Sequence, residues 1–226
     1  MSQSLSQFKP SLGPNSQTTD SVLALPPSQV FMFLKSDTSL DLPDLQGVFT
    51  PGSYKEGKHY MLDSYPGVTA GAWQHRPLSR GYVRAVSKDS YRDPIIQPNY
   101  LDHPTDQQTI VAGMQMVRAL LHAPELSKFL EEETIPGRSV DTDEDMLDFV
   151  NKNGSTGYHL VGTARMGRSD DRFAVVDDQL KIYGVDRLRI ADASIMLMIP
   201  SANTYAASMM IGEKAADVNF RVRTGH

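Results

Sequence analysis

Ile110, Met114, Val117 and Leu121 fall at i, i+4, i+7 and i+11, one apolar stripe on a 3.6-residue period. A helix with such a stripe is stabilised mainly by burying it against another element. Upstream, VFMFLKSD (30–37), DLPDLQGVFTP (41–51), GVTAGAWQHRP (67–77) and RGYVRAVSKD (80–89) read as strands separated by turn residues. PGSYKEGKHYM reads as a loop, and PIIQPNYLDHPTD (94–106) as extended and then turning. Asp106 or Thr105 is the expected cap of the striped helix, and Pro124 its stop. PELSKFLEEE predicts a second, short helix with proline in its first turn. DTDEDMLDFVNKNG (141–154) predicts a third, acidic at its start, with a lysine near its end and Gly154 as the stop. Several strands followed by helices is the element order of an α+β fold.

The last third changes character. GYHLVGTARMG (157–167) leads into AVVDDQLKIYGVDRLRIADAS, which predicts short strands joined by tight turns. SANTYAASMMIGEKAADV (201–218) opens on a serine, a cap candidate, and continues as a helix. That helix is apolar on nearly all sides over 206–211, so it is expected to be well buried. At the other end, residues 1–28 are rich in Ser, Gln and Pro and are expected to be irregular or disordered. The expected division is therefore 1–28, then 29–154, then 155–226.

Composition excludes several classes of function. The 226 residues suffice for one large domain or two modest ones. A formal charge of -5 with no dense basic run argues against a nucleic-acid binder. The absence of cysteine excludes disulfides and thiolate metal sites. No apolar stretch reaches the ~18 residues of a spanning helix, and the polar N-terminus has no apolar signal core, so a cytoplasmic location is the default expectation. G-x-S-x-G, H-E-x-x-H, G-x-x-x-x-G-K-[ST] and G-x-G-x-x-G are all absent. The six histidines are scattered, so no metal site is expected. Asp170–Asp171 and Asp177–Asp178 read as solvated turns.

His159 admits two readings: a half-buried histidine with its ring nitrogens hydrogen-bonded, or a base held over something reactive. A Gly-Thr pair follows it at 162–163, permitting close backbone approach. Asp192 ends a strand-turn-strand pattern, and Asn203 sits at the mouth of the last helix.

Together, HLVGTARMG from His159, VVD (175–177), GVDRLRI (184–190), ADASIM (191–196) and SANTYAASMMIGEKAAD (201–217) resemble the C-terminal part of the glucose-methanol-choline (GMC) family of flavin-dependent alcohol oxidoreductases. FLKSDTSLDLPDLQ and SRGYVRAVSKDSYRDPIIQPNYLDHPTDQQTIVAGMQMVRALL look like that family's substrate domain. The resemblance implies an antiparallel sheet flanked by helices, followed by C-terminal elements that complete an FAD-binding domain. It implies that His159 is the base over the flavin and that Asn203, at a His/Asn position, holds the substrate oxygen. It implies that Asp192 and Ala193 lie along the ribityl and pyrophosphate chain, and that Thr204 and Tyr205 offer backbone N–H groups at the isoalloxazine edge. Asp192 as a plain turn cap and Tyr205 as core packing stand beside these readings. Trp73 and Tyr82 read as packing, and His75 and His103 as surface or loop residues.

Two departures stand out. Leu197 occupies a usual proline position, and the family's N-terminal dinucleotide-binding portion is absent from this sequence. The chain therefore reads as a C-terminal fragment, a truncated reading frame or one half of a split protein. The implied function is oxidation of a small-molecule alcohol CH–OH to a carbonyl. FAD is expected in the complete enzyme and not on this chain alone. A non-redox, lyase-like member and a catalytically silent fragment needing a partner chain, such as the missing FAD-binding half in cis or in trans, remain as alternatives.

Overall fold

The computed structural model describes residues 2–5, 28, 30–55, 58–201 and 203–224, of which 2–5, 59, 60 and 219–224 by backbone alone. In chain order the elements are β1 (Ser2–Leu5), β2 (Val30–Leu34), β3 (Leu45–Thr50), β4 (Tyr54–Lys55), β5 (Lys58–Leu62), β6 (Gly67–Gln74), β7 (Tyr82–Arg84) and β8 (Ile95–Gln97). Then follow α1 (Pro104–Leu121), α2 (Pro124–Ser127), β9 (Leu130–Ile135), α3 (Asp143–Asn153), a single 3₁₀ turn (Ala193–Ile195) and α4 (Tyr205–Thr224). The fold is α+β. The chain divides into two units, Met1–Gln74 with Leu101–Ser155, and His75–Tyr100 with Thr156–His226.

The first unit is built on a five-stranded antiparallel sheet in the order β2-β3-β6-β1-β9. β3 and β6 pair from Leu45 opposite Gln74 to Thr50 opposite Thr69. Val68, Ala70 and Ala72 recur every second residue and so share one face of β6. They form the core with Val117 and Leu121 of the α1 stripe, Phe49 and Leu130. The helix comes close because Gly113 faces the sheet: a Cβ there would lie 3.1 Å from Leu45 Cδ2 and 3.3 Å from Ala72 Cβ.

The start of α1 differs from expectation. Pro104 is its first residue, so the cap falls on His103, whose Nδ1 accepts from Thr105 N at 3.2 Å. Proline suits that position because its φ is already helical and it has no N–H to satisfy. Asp106 instead turns into the unit, buried, and accepts from Gln74 Nε2 at 2.9 Å.

The helix expected over PELSKFLEEE stops after one turn at Ser127, and Leu130–Ile135 form a strand. Glutamates favour helices, but sheet pairing overrides propensity here. Glu133 sits in that strand opposite Arg118 of α1, with Nε–Oε2 at 2.9 Å and Nη2–Oε1 at 2.7 Å. The Glu133 side chain is only 1% exposed.

Other segments differ similarly. The loop-like PGSYKEGKHYM contains the paired strands β4 and β5. Ser2–Leu5, expected to be irregular, pairs with both β6 and β9. Backbone hydrogen bonds require no apolar alternation, so a polar strand leaves no pattern to read. Apart from Ser28, the remainder of the 1–28 segment lies outside the described residues. α3 follows its prediction. Thr142 and Asp145 form a reciprocal capping box, and Lys152 lies in the last turn.

The second unit has little regular structure. β7 and β8 pair as an exposed ribbon in which Arg84 lies 5.2 Å over the Tyr82 ring. Tyr82 is thus exposed, not packed in a core. His75, read as a surface or loop residue, is 2% exposed. In place of the short strands expected over 174–194 there are isolated bridges, Met166 with Val176, Val176 with Ile182, and Lys181 with Arg189. Asp177 organises the turn between them, its Oδ1 accepting from Gln179 N at 2.9 Å and Lys181 N at 2.8 Å. Val176, Leu180, Ile195, Ile211 and Ala215 form the core of this unit. α4 is not buried all round. Ile211 and Ala215 face inward, while Met209 and Met210 are 55% and 60% exposed. Among the described residues, no helix is long and apolar enough to cross a membrane.

Candidate active site

The quoted motifs converge within the second unit. HLVGTARMG runs beside ADASIM, with Ala164 N donating to Ser194 O at 3.0 Å and Met166 N to Ile195 O at 2.8 Å. The same stretch receives VVD on its other side, where Gly167 N donates to Val176 O at 3.0 Å. Gly162 takes φ +89°, and a Cβ there would lie 3.5 Å from Met196 O. This is one position where the backbone requires glycine. Tyr158, just before the histidine, is also in the left-handed region at φ 61°.

His159 is half-buried, between the exposed Tyr158 and Leu160. Both ring nitrogens meet the last motif. Asn203 Nδ2 donates to His159 Nε2 at 2.9 Å. On the other side, His159 Nδ1 and Thr204 Oγ1 are 2.9 Å apart. The Thr204 N–H is directed at the same Nδ1 from 3.5 Å, a longer and weaker contact. In a neutral imidazole one nitrogen accepts and the other donates. With Nε2 accepting from the amide, Nδ1 carries the proton and donates to the threonine oxygen.

Thr204 immediately precedes α4, and its carbonyl accepts from Ser208 N at 2.9 Å. Tyr205, the first helical residue, is 74% exposed and so not packed in the core. Ser201, the sequence's cap candidate, lies four residues before the helix, where its Oγ accepts from Arg76 Nη1. Asp192 precedes the 3₁₀ turn, and its Oδ1 accepts from Ser194 N at 2.8 Å. It is therefore a turn cap, and its side chain is exposed. Ala193 opens that turn.

The neighbouring charges are held in place. Arg165 pairs with Asp171. A hydrogen bond from Phe173 N, then the Arg165 guanidinium, hold the Asp171 carboxyl below the ordinary carboxylate value. Tyr183 donates to Gly167 O at 2.9 Å. Desolvation, then Asp177 and Asp178, push its phenol up. Among the described residues, no cluster of three or more His, Cys, Asp or Glu could hold a metal.

The side-chain contact of Thr204 with His159 is the feature that sequence reading missed. Thr204 stood out there only for its backbone N–H, because a hydroxyl 45 residues away carries no local mark.

The α+β fold is the one that the resemblance implied. The GMC oxidoreductase family model matches residues 77–212, and the chain belongs to that family. It is 37% identical over 189 residues to an alcohol dehydrogenase [acceptor] of Pseudomonas putida, covering 84% of this chain and 34% of that protein. It is 36% identical over 192 residues to an oxygen-dependent choline dehydrogenase of Cronobacter sakazakii, covering 85% of this chain and 34% of that one. Among solved structures it resembles pyridoxine 4-oxidase from Mesorbium loti, with TM-score 0.72 and 28% identity, over 84% of this chain and 37% of that one. The chain thus spans about a third of the length of the curated relatives it matches.

Proposed function

We propose that this chain supplies the proton-handling side of an FAD-dependent alcohol oxidoreductase that oxidises a CH–OH group to a carbonyl. The observation that carries this reading is the 2.9 Å approach of Asn203 Nδ2 to His159 Nε2. Oxidising an alcohol removes a proton from oxygen and a hydride from carbon. Bound FAD would supply the hydride acceptor.

The single lone pair of His159 Nε2 faces the Asn203 amide; when the substrate hydroxyl takes the place of that amide at Nε2, the nitrogen accepts the hydroxyl proton as general base. Asn203 donates an N–H to the substrate oxygen and orients it. An amide cannot accept that proton, so the site works with one base.

Asp192, Ala193, Thr204 and Tyr205 are the residues proposed to hold the cofactor, and their surroundings fit it. Tyr205 and Asp192 are exposed. The first N–H groups of α4 have no acceptor within the helix, and that end favours negative charge. The substrate is a small alcohol, in line with the relatives' names.

The surface of the second unit favours a second statement. Leu197, Met198, Tyr205, Met209 and Met210 are large, apolar and exposed, a pattern that marks an interaction surface. We propose that the chain alone is catalytically silent and acts with an FAD-binding portion, in cis or in trans.

Mixing the chain with such a portion and adding a panel of small alcohols without oxygen tests both statements. Yellow colour gained on mixing and bleached by an alcohol is the expected result. Absence of bleaching by any alcohol counts against the oxidoreductase, and flavin retained by the chain alone counts against silence.

A further inference from the structure

A neutral imidazole has one lone pair, and the nitrogen that carries it decides where the ring accepts a proton. We infer that the Thr204 hydroxyl is a positioning residue that keeps the ring proton of His159 on Nδ1, leaving Nε2 as the proton-accepting atom. The inference rests on the base role proposed above and adds the side chain that sets it.

Three observations carry it. First, the amide nitrogen of Asn203, a donor only, lies 2.9 Å from Nε2. The lone pair is therefore on Nε2 and the proton on Nδ1. Second, Thr204 Oγ1 is 2.9 Å from Nδ1 and is placed to accept that proton. The Thr204 N–H points at the same nitrogen from 3.5 Å, the outer limit of a hydrogen bond, and so favours the opposite tautomer only weakly.

Third, a threonine just before a helix ordinarily turns its oxygen onto an N–H of the first turn. Thr142 does so in this chain, accepting from Asp145 N at 3.1 Å. Thr204 holds the same position relative to α4, yet its oxygen faces the imidazole. The hydroxyl thus serves the histidine in place of the helix start. Histidine in water favours the proton on Nε2, so this contact works against the ring's own preference.

The test is ring-nitrogen NMR of the full chain labelled with [¹⁵N]histidine, with His159→Gln assigning the resonances. The wild-type ring should show a protonated Nδ1 and an unprotonated Nε2 at neutral to mildly alkaline pH. Thr204→Val, which keeps the shape and removes the oxygen, should lower the Nδ1–H to Nε2–H ratio roughly 2- to 12-fold, the range of one net hydrogen bond. Thr204→Ser should restore the wild-type ratio, and Thr204→Ala provides a second hydroxyl-free variant should valine impair folding. A wild-type ring protonated on Nε2, an unchanged ratio in the hydroxyl-free variants, or failure of serine to restore it overturns the inference.

The readout needs no turnover, so it is separate from the base reading. Normal alcohol oxidation by His159→Ala would overturn the base and leave the measured tautomer standing.

Discussion

Asn203 Nδ2 and His159 Nε2 are 2.9 Å apart although 44 residues separate them in the chain. The imidazole enters from a stretch without regular structure, held by hydrogen bonds from Ala164 and Met166 to the 3₁₀ turn. The carboxamide enters from the residues leading into α4. The pair thus depends on two independent anchors, and each can be disturbed separately.

Removing the imidazole tests the chemistry. In the flavin-loaded enzyme, His159→Ala is expected to lower kcat for alcohol oxidation by about 10²–10⁴-fold, the usual worth of a general base. Flavin absorbance should be retained, because the residues proposed to hold the cofactor are others. Near-normal kcat would remove His159 from the role.

The capping box of α3 should make stability depend on pH. Bonds from the Thr142 side chain, then the Thr142 backbone, hold the Asp145 carboxyl below its ordinary value. A depressed carboxyl adds stability above its unfolded value of about 3.9, and that stability is lost as pH falls through the lower folded value. Asp145→Asn should therefore lower the urea midpoint at neutral pH, and the gap from wild type should close in acid. A gap of constant size down to the acid end of the titration would contradict the cap.

Gly113 tests the packing of α1 on the sheet. Alanine gains about 1 kcal/mol of helix propensity over glycine, but its Cβ would press on Leu45 Cδ2 at 3.1 Å and Ala72 Cβ at 3.3 Å. Ala72 Cβ is fixed to the strand backbone, and Leu45 is fully buried. Neither yields easily, and overpacking costs about 1–3 kcal/mol. Gly113→Ala should destabilise by about 1 kcal/mol net in denaturant unfolding; stabilisation would mean the helix can lift away.

The Arg118–Glu133 pair joins α1 to β9 through two hydrogen bonds. Arg118→Met leaves a buried carboxylate without its partner and should cost about 3–5 kcal/mol. Adding Glu133→Leu to the same protein should recover much of that loss. Equal stability of the single and double variants, measured by denaturant unfolding, would show that the desolvated charge is not the cause.

Helices with strong local marks could be read in advance: the α1 stripe, and α3 with its acidic first turn and terminal lysine. β9 could not, because LEEETI carries helix-favouring glutamates and becomes a strand only by pairing with β1 and engaging Arg118. The polar β1 was equally silent, since pairing uses backbone groups that every residue possesses. α4 was legible as a helix, but its burial was not. Periodicity records which residues are apolar and says nothing of what lies against them.

The sequence by itself determined the family, the α+β class, and the two residue types that the proposed chemistry needs, an imidazole and a carboxamide. These are carried by short spacings and by side-chain identity. Only the tertiary structure decided that Asn203 and Thr204 grip opposite nitrogens of His159, and that Asp192 caps a turn. Such contacts join residues distant in the chain, and their distances and donor roles arise from packing, which no local pattern encodes.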